Sequence, residues 1–161
     1  MSNINAADVA KLRRMTGAGM MDCKKALEEA AGDFEKAQEI IRKRGQAIAN
    51  KRADREATEG VVLAKASADG TSGMIIALNC ETDFVAKNAD FIALGNSILD
   101  EALRSNPADL DSLKNMIVEG KKASDLVLEK SGITGEKFEL SYFAKINAAM
   151  VQAYIHPGNK L

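Results

Sequence analysis

Through residues 1–45 apolar positions recur every three or four places, and small polar residues or glycines interrupt them, a pattern that predicts three short helices packed together. Val9 and Leu12 sit three apart and are followed by Met15 and Thr16, giving an apolar stripe at helical spacing. Asn5 is placed to cap this first helix, and Asp8, three residues on, sets a carboxylate at the free amides of its first turn. Thr16-Gly17-Ala18-Gly19 breaks it. A second helix is expected from Met20 to Ala31, with Cys23, Ala26, Leu27 and Ala30 inward and Lys24, Lys25, Glu28 and Glu29 mostly outward. Gly32 suits its C-terminal end and Asp33 the N-cap of the next helix. Phe34, Ala37, Ile40 and Ile41 form the third apolar face, which Gly45 is expected to stop.

The periodicity then fades into alanine and charge from Gln46 to Glu59, which reads as a linker, partly helical. At Gly60 the pattern turns extended. Val61-Val62-Leu63-Ala64 and Met74-Ile75-Ile76-Ala77-Leu78 flank an Asp69-Gly70 turn, so an antiparallel hairpin is expected, with helices covering at least one face. Phe91, Leu94, Ile98, Leu99 and Ala102 return to helical spacing and stop before Pro107. Leu110, Leu113, Ile117 and Val118 suggest a further helix, and Ala123 to Lys130 another. Phe138, Leu140, Tyr142 and Ala144 alternate like a strand through Ile146, and Met150 to Ile155 reads as a last extended run. The fold class is therefore α+β.

Composition narrows the function. With 161 residues, 46% of them hydrophobic and 28% charged, the chain can bury a core. Its 22 Lys and Arg against 23 Asp and Glu leave a net charge of −1, so nucleic acid is not the default partner. One local exception is the stretch from Arg42 to Arg55, with six basic residues and one acidic; it reads as a solvated linker or as an electrostatic contact surface. Aromatic residues are only 4%, which argues against a base-stacking surface. No apolar run approaches a membrane-spanning length and the polar Met1-Ser2-Asn3-Ile4-Asn5 start lacks the features of a secretory signal, so a cytoplasmic protein without membrane partners is expected. Cys23 and Cys80 are not closely paired and read as reduced packing residues, with no metal site. Phosphate-loop, dinucleotide, zinc-protease and serine-hydrolase signatures are absent, and His156 is the single histidine, so bond chemistry is not expected.

Two places stand out. Gly19-Met20-Met21 puts adjacent thioethers in different directions at a helix start, suited either to core packing or to a partner groove. Thr82-Asp83-Phe84-Val85 places an acidic–aromatic pair at the exit from a strand; Phe84 either projects as an interface anchor or packs beneath the next helix.

The same residues carry a family resemblance. Thr16-Gly17-Ala18-Gly19-Met20-Met21-Asp22-Cys23-Lys24-Lys25-Ala26-Leu27, then Gly32-Asp33, then Asn79-Cys80-Glu81-Thr82-Asp83-Phe84-Val85-Ala86-Lys87 closely resemble the bacterial elongation factor Ts family. That resemblance implies a guanine-nucleotide exchange factor for EF-Tu, GDP-bound or nucleotide-free, with no cofactor of its own. It implies a ubiquitin-associated-like three-helix domain with linker over 1–55, a first α+β core subdomain over 56–140 and the incomplete start of a second over 141–161. Family members normally continue further, so the chain is expected to be truncated, with Phe138 to Ile155 short of strand partners and open to self-association. By motif, Leu12, Met20 and Met21 would contact a helix of EF-Tu and Lys24 would add a charged contact. Asp83 and Phe84, flanked by Thr82 and Val85, would wedge beside the nucleotide pocket, shifting groups that hold Mg²⁺. His156 matches a family interface histidine, in a Pro157-Gly158 context that departs from the usual turn. The alternatives are a passive EF-Tu-binding module without full exchange activity, or ubiquitin recognition by the bundle, which would leave Thr82-Asp83-Phe84 unexplained.

Overall fold

A computed structural model describes residues 4–157; residues 1–3 and 158–161, which include the N-terminal start and the end of the His156 segment read above, lie outside the described residues. The chain forms two compact units. One runs up to Ala53 and includes Leu128–Gly135; the other comprises Asp54–Val127 and the chain from Glu136 onward.

In the first unit, helices α1 (Ala6–Thr16), α2 (Met20–Glu29) and α3 (Phe34–Lys51) follow one another through tight connections. Asn5 Oδ1 accepts from the Asp8 amide at 2.9 Å and the Asp8 carboxylate accepts from the Asn5 amide at 3.4 Å, a reciprocal capping box. Asp33 caps α3 by accepting from the Lys36 amide at 3.1 Å. Val9, Leu12, Cys23, Ala26, Leu27, Ala37 and Ile41 form the core of the bundle. Met15 departs from the expected stripe, because it is 54% exposed at the end of α1.

Gly45 does not stop α3, which continues to Lys51 and takes in the first six residues of the expected linker. The close approach at this buried position is required of Gly132: a Cβ added there would lie 2.1 Å from the Gly45 carbonyl oxygen, whereas one added at Gly45 meets Gly132 at an ordinary 3.6 Å. Gly45 thus neither stops the helix nor is needed for the crossing, while Gly132 lets the two backbones meet. The basic residues of this region are largely paired with carboxylates, Arg42 with Glu39 at 2.7 Å, Arg44 with Glu29, and Arg55 with Glu81 at 3.1 Å.

The second unit contains β1 (Glu59–Ala66), β2 (Ser72–Cys80), α4 (Asp83–Ala86), α5 (Ala89–Ser105), α6 (Leu110–Asn115), β3 (Ile117–Val118) and β4 (Lys121–Lys122). It also holds the start of α7 (Ala123–Thr134) and all of β5 (Glu139–Asn147). An antiparallel sheet has the order β1-β2-β5. Val61, Leu63, Met74, Ile76, Leu78 and Leu140 face Phe91, Leu94, Ile98 and Leu99 of α5 in one core, closed by an edge-to-face contact of Phe91 on Phe138 at 4.8 Å. At the hairpin tip one Asp69 oxygen accepts from Ser67 Oγ at 2.6 Å, Thr71 Oγ1 at 2.8 Å and the Thr71 amide at 3.0 Å.

Three expectations are corrected here. The helix expected to run to Val118 ends at Asn115, because Met116 turns extended and Ile117–Val118 pairs with Lys121–Lys122 around Glu119 and Gly120, both at positive φ. Segment 138–155 does not lack partners as a whole: β5 pairs with β2 from Glu139 to Asn147. The strict alternation expected for it is broken, since the register shifts between Ala77↔Tyr142 and Leu78↔Leu140 and leaves Ser141 as the extra residue of a bulge. Leu140 and Phe143 therefore both serve the core, and Tyr142, Ala144 and Ile146 lie on the opposite face.

That opposite face, with Val62, Ala64 and Ile75, is partly covered by the chain after β5, where the run expected to be extended from Met150 to Ile155 joins no strand ladder. Ala148 donates to the Thr71 carbonyl at 3.0 Å and Val151 to the Gly70 carbonyl at 2.7 Å. Val151 rests on Gly73, where an added Cβ would come within 2.7 Å of its Cγ1.

Candidate partner-binding site

Strand β2 ends at Cys80, and within six residues the chain must leave the sheet and enter a one-turn helix. Thr82 makes that turn: it is the extended N-cap of α4, and its Oγ1 accepts from the Val85 amide at 3.4 Å. Val85 and Ala86 pack against the core, so they fix the inner side of α4. Phe84, on the other side, is 83% exposed, the most exposed large hydrophobic side chain among the described residues. Leaving such a ring in water forgoes about 1.5–3 kcal/mol of burial, which a partner surface would recover. Of the two orientations open in the sequence, the projecting one is found.

Asp83 lies beside Phe84 and accepts from Lys87 Nζ at 2.6 Å; this hydrogen bond and its charge hold the Asp83 carboxyl below the usual carboxylate range and raise Lys87. The corner is braced from behind. Glu136 Oε2 accepts from the Glu81 and Thr82 amides, each at 3.1 Å, and Oε1 accepts from Thr82 Oγ1 at 2.6 Å. Glu81 answers by accepting from the Lys137 amide at 2.7 Å and from Arg55 at 3.1 Å. The Cys80 thiol donates to the Thr82 carbonyl at 3.2 Å, and burial, followed by the Glu136 charge, pushes its pKa up to about 11, so it stays protonated. Glu136 and Arg55 carry no local signal in the sequence, because they are distant along the chain and are recruited only by folding.

In the bundle, Met20 and Met21 open α2 behind Gly19 and are 42% and 62% exposed, so thioethers are presented to solvent there. Lys24 is exposed on the next turn and pairs with Glu28 at 3.8 Å, a contact of little energetic weight. Leu12, which the resemblance places at a partner contact, is 0% exposed and lies inside the bundle core. His156 is exposed, with Nδ1 3.3 Å from Tyr154 Oη, and borders a cavity of about 330 Å³ with Val62, Ala64 and Ile75. Met20, Met21 and Lys24 thus belong to one unit, and Thr82–Val85 and His156 to the other. Among the described residues no group of His, Cys, Asp and Glu is arranged to hold a metal, and no helix is long and apolar enough to cross a membrane.

The described surface thus carries exposed thioethers on the helical unit and a braced, projecting aromatic on the α+β unit. A sequence model described as Elongation factor TS matches residues 81–161. Elongation factor Ts of Porphyromonas gingivalis (strain ATCC 33277) is 54% identical over 159 residues, which cover 98% of this chain and 57% of that protein. Elongation factor Ts of Christiangramia forsetii is 50% identical over 100% of the chain and 58% of the relative, and that of Parabacteroides distasonis 55% over 96% and 46%. The chain belongs to the elongation factor Ts family, and it spans about half the length of the curated relatives it matches.

Proposed function

We propose that the chain takes part in guanine-nucleotide exchange on EF-Tu in the cytoplasm, by binding and without making or breaking a bond. Met20, Met21 and Lys24 engage EF-Tu through the bundle, and Asp83 with Phe84 enters beside the nucleotide pocket. Thr82 and Val85 hold that pair in place, and His156 is a further contact. Mg²⁺ demands near-octahedral geometry and bridges protein to phosphate, so a small displacement of its surroundings weakens GDP retention. Linkage then requires GDP to weaken binding of this chain by the same factor.

The observation that carries this reading is the exposure of Phe84 on a capped, braced corner. Release of fluorescent GDP from EF-Tu, with and without the chain, tests it. Phe84→Ala should cut the stimulated rate by about tenfold, the loss typical of one interface anchor, while thermal stability is unchanged because the ring buries little. Equal stimulation by both proteins would remove the wedge. Binding without acceleration by the wild-type chain would favour the second reading, an EF-Tu-binding module, in keeping with a chain that covers 57% of its relative.

A further inference from the structure

We propose that Glu136 is a positioning residue for Phe84, an inference that rests on the exchange reading above. Helix α4 has only four residues, too few to hold a helical turn by itself. Its direction must come from outside, and the hydrogen bonds trace the source. Past the end of β2, the consecutive amides of Glu81 and Thr82 have left the strand ladder, and both donate to one oxygen of Glu136.

The other Glu136 oxygen accepts the only proton of the Thr82 hydroxyl, at 2.6 Å. A hydroxyl that has given its proton away is left as an acceptor, and that is the state in which Thr82 Oγ1 receives the Val85 amide and caps α4. The carboxylate therefore sets the hydroxyl, the hydroxyl sets the cap, and the cap fixes the turn from which Phe84 projects. Glu81 returns the grip by accepting from the Lys137 amide at 2.7 Å, with Arg55 on its second oxygen. Segments 81–82 and 136–137 are thus clasped in both directions. Charge assistance makes such bonds stronger and shorter than neutral ones, which suits a device that must hold a ring still while it is pressed against a partner.

Glu136→Ala and Glu136→Gln separate positioning from mere support. The carboxamide oxygen of Gln still accepts both amides, and its NH₂ donates to one lone pair of Thr82 Oγ1 and leaves the other for the Val85 amide, whereas Ala offers nothing. In the GDP-release assay, Glu136→Ala should lower the rate at saturating chain by about tenfold, as Phe84→Ala does, with the half-saturating concentration within about twofold, because the bundle still docks. Glu136→Gln should recover to within about threefold of wild type. By NMR, amide hydrogen exchange at Glu81, Thr82 and Val85 should accelerate at least about tenfold in Glu136→Ala, while Ile76 and Leu78 in β2 stay protected.

Wild-type rates in Glu136→Ala, where Phe84→Ala is impaired, would overturn the proposal and leave the exchange reading standing. Equal impairment of the Ala and Gln variants, with protection lost in β2 as well, would also overturn it and reduce Glu136 to a stability residue. Should the wild-type chain give no stimulation, the exchange reading fails, and amide exchange decides alone: fast in Ala and slow in Gln upholds the positioning of the corner, and no difference overturns it.

Discussion

Asp69 collects three donors on one carboxylate oxygen at the hairpin tip, and these hydrogen bonds, led by Ser67 Oγ, lower its pKa from 3.8 to about 2. A carboxyl held below its unfolded value stabilises the fold fully above that value and loses the contribution as pH falls through the folded one. Asp69→Asn should therefore melt below wild type by a constant margin above pH ~5, and the margin should close between about pH 4 and pH 2. Thermal melts of the two proteins across that range check it; a margin independent of pH would mean that the charge is immaterial. At this scale the sequence identified Asn5, Asp33 and the Asp69-Gly70 turn, because each acts on amides only two or three residues away. Leu12 is instructive: its place in the apolar stripe pointed inward, and it is fully buried.

Glycine misled the reading of elements. Gly45 sits where periodicity fades, yet its helix continues, and the room at the crossing with 128–135 is made by Gly132. The two positions are not equivalent. An added Cβ at Gly45 meets Gly132 at 3.6 Å, an ordinary contact, whereas one at Gly132 meets the Gly45 carbonyl oxygen at 2.1 Å, which only a backbone shift relieves. Gly45→Ala should be neutral or stabilise by up to ~1 kcal/mol through helix propensity, and Gly132→Ala should destabilise by about 1–3 kcal/mol. Urea unfolding of both variants checks the asymmetry; equal effects would refute this account of the crossing. The β3–β4 ribbon escaped for another reason. Two-residue strands are too short to display a period, and Ile117 and Val118 fit a helical spacing with Leu110 and Leu113 equally well.

Across the whole molecule, the parts that sequence reading could not reach are those joined over long stretches of chain. The Glu136 brace on Thr82 is one, and the completion of the first unit by Leu128–Gly135 is another. A peptide ending at Ala53 keeps Leu12, Leu27 and Ala37 in its core but lacks the segment that meets Gly45. It should fold with a melting temperature about 5–10 °C below that of the same helices in the full chain. Amide exchange at Leu27 in peptide and full chain measures the difference; equal protection would make Leu128–Gly135 dispensable to the bundle. The bulge at Ser141 has a consequence of a different kind. Most single-residue changes on a half-covered strand are absorbed where they occur, but here one surplus codon reconciles two stretches of opposite phase. Were Ser141 drawn into a regular ladder, Leu140 and Phe143, three residues apart, would face opposite sides and one would leave the core, whereas deleting Ser141 would leave them two apart on one face with no bulge. In this strand a deletion at the bulge would be milder than a regularised ladder, because the fold depends on the phase of the two stretches and not on the side chain between them.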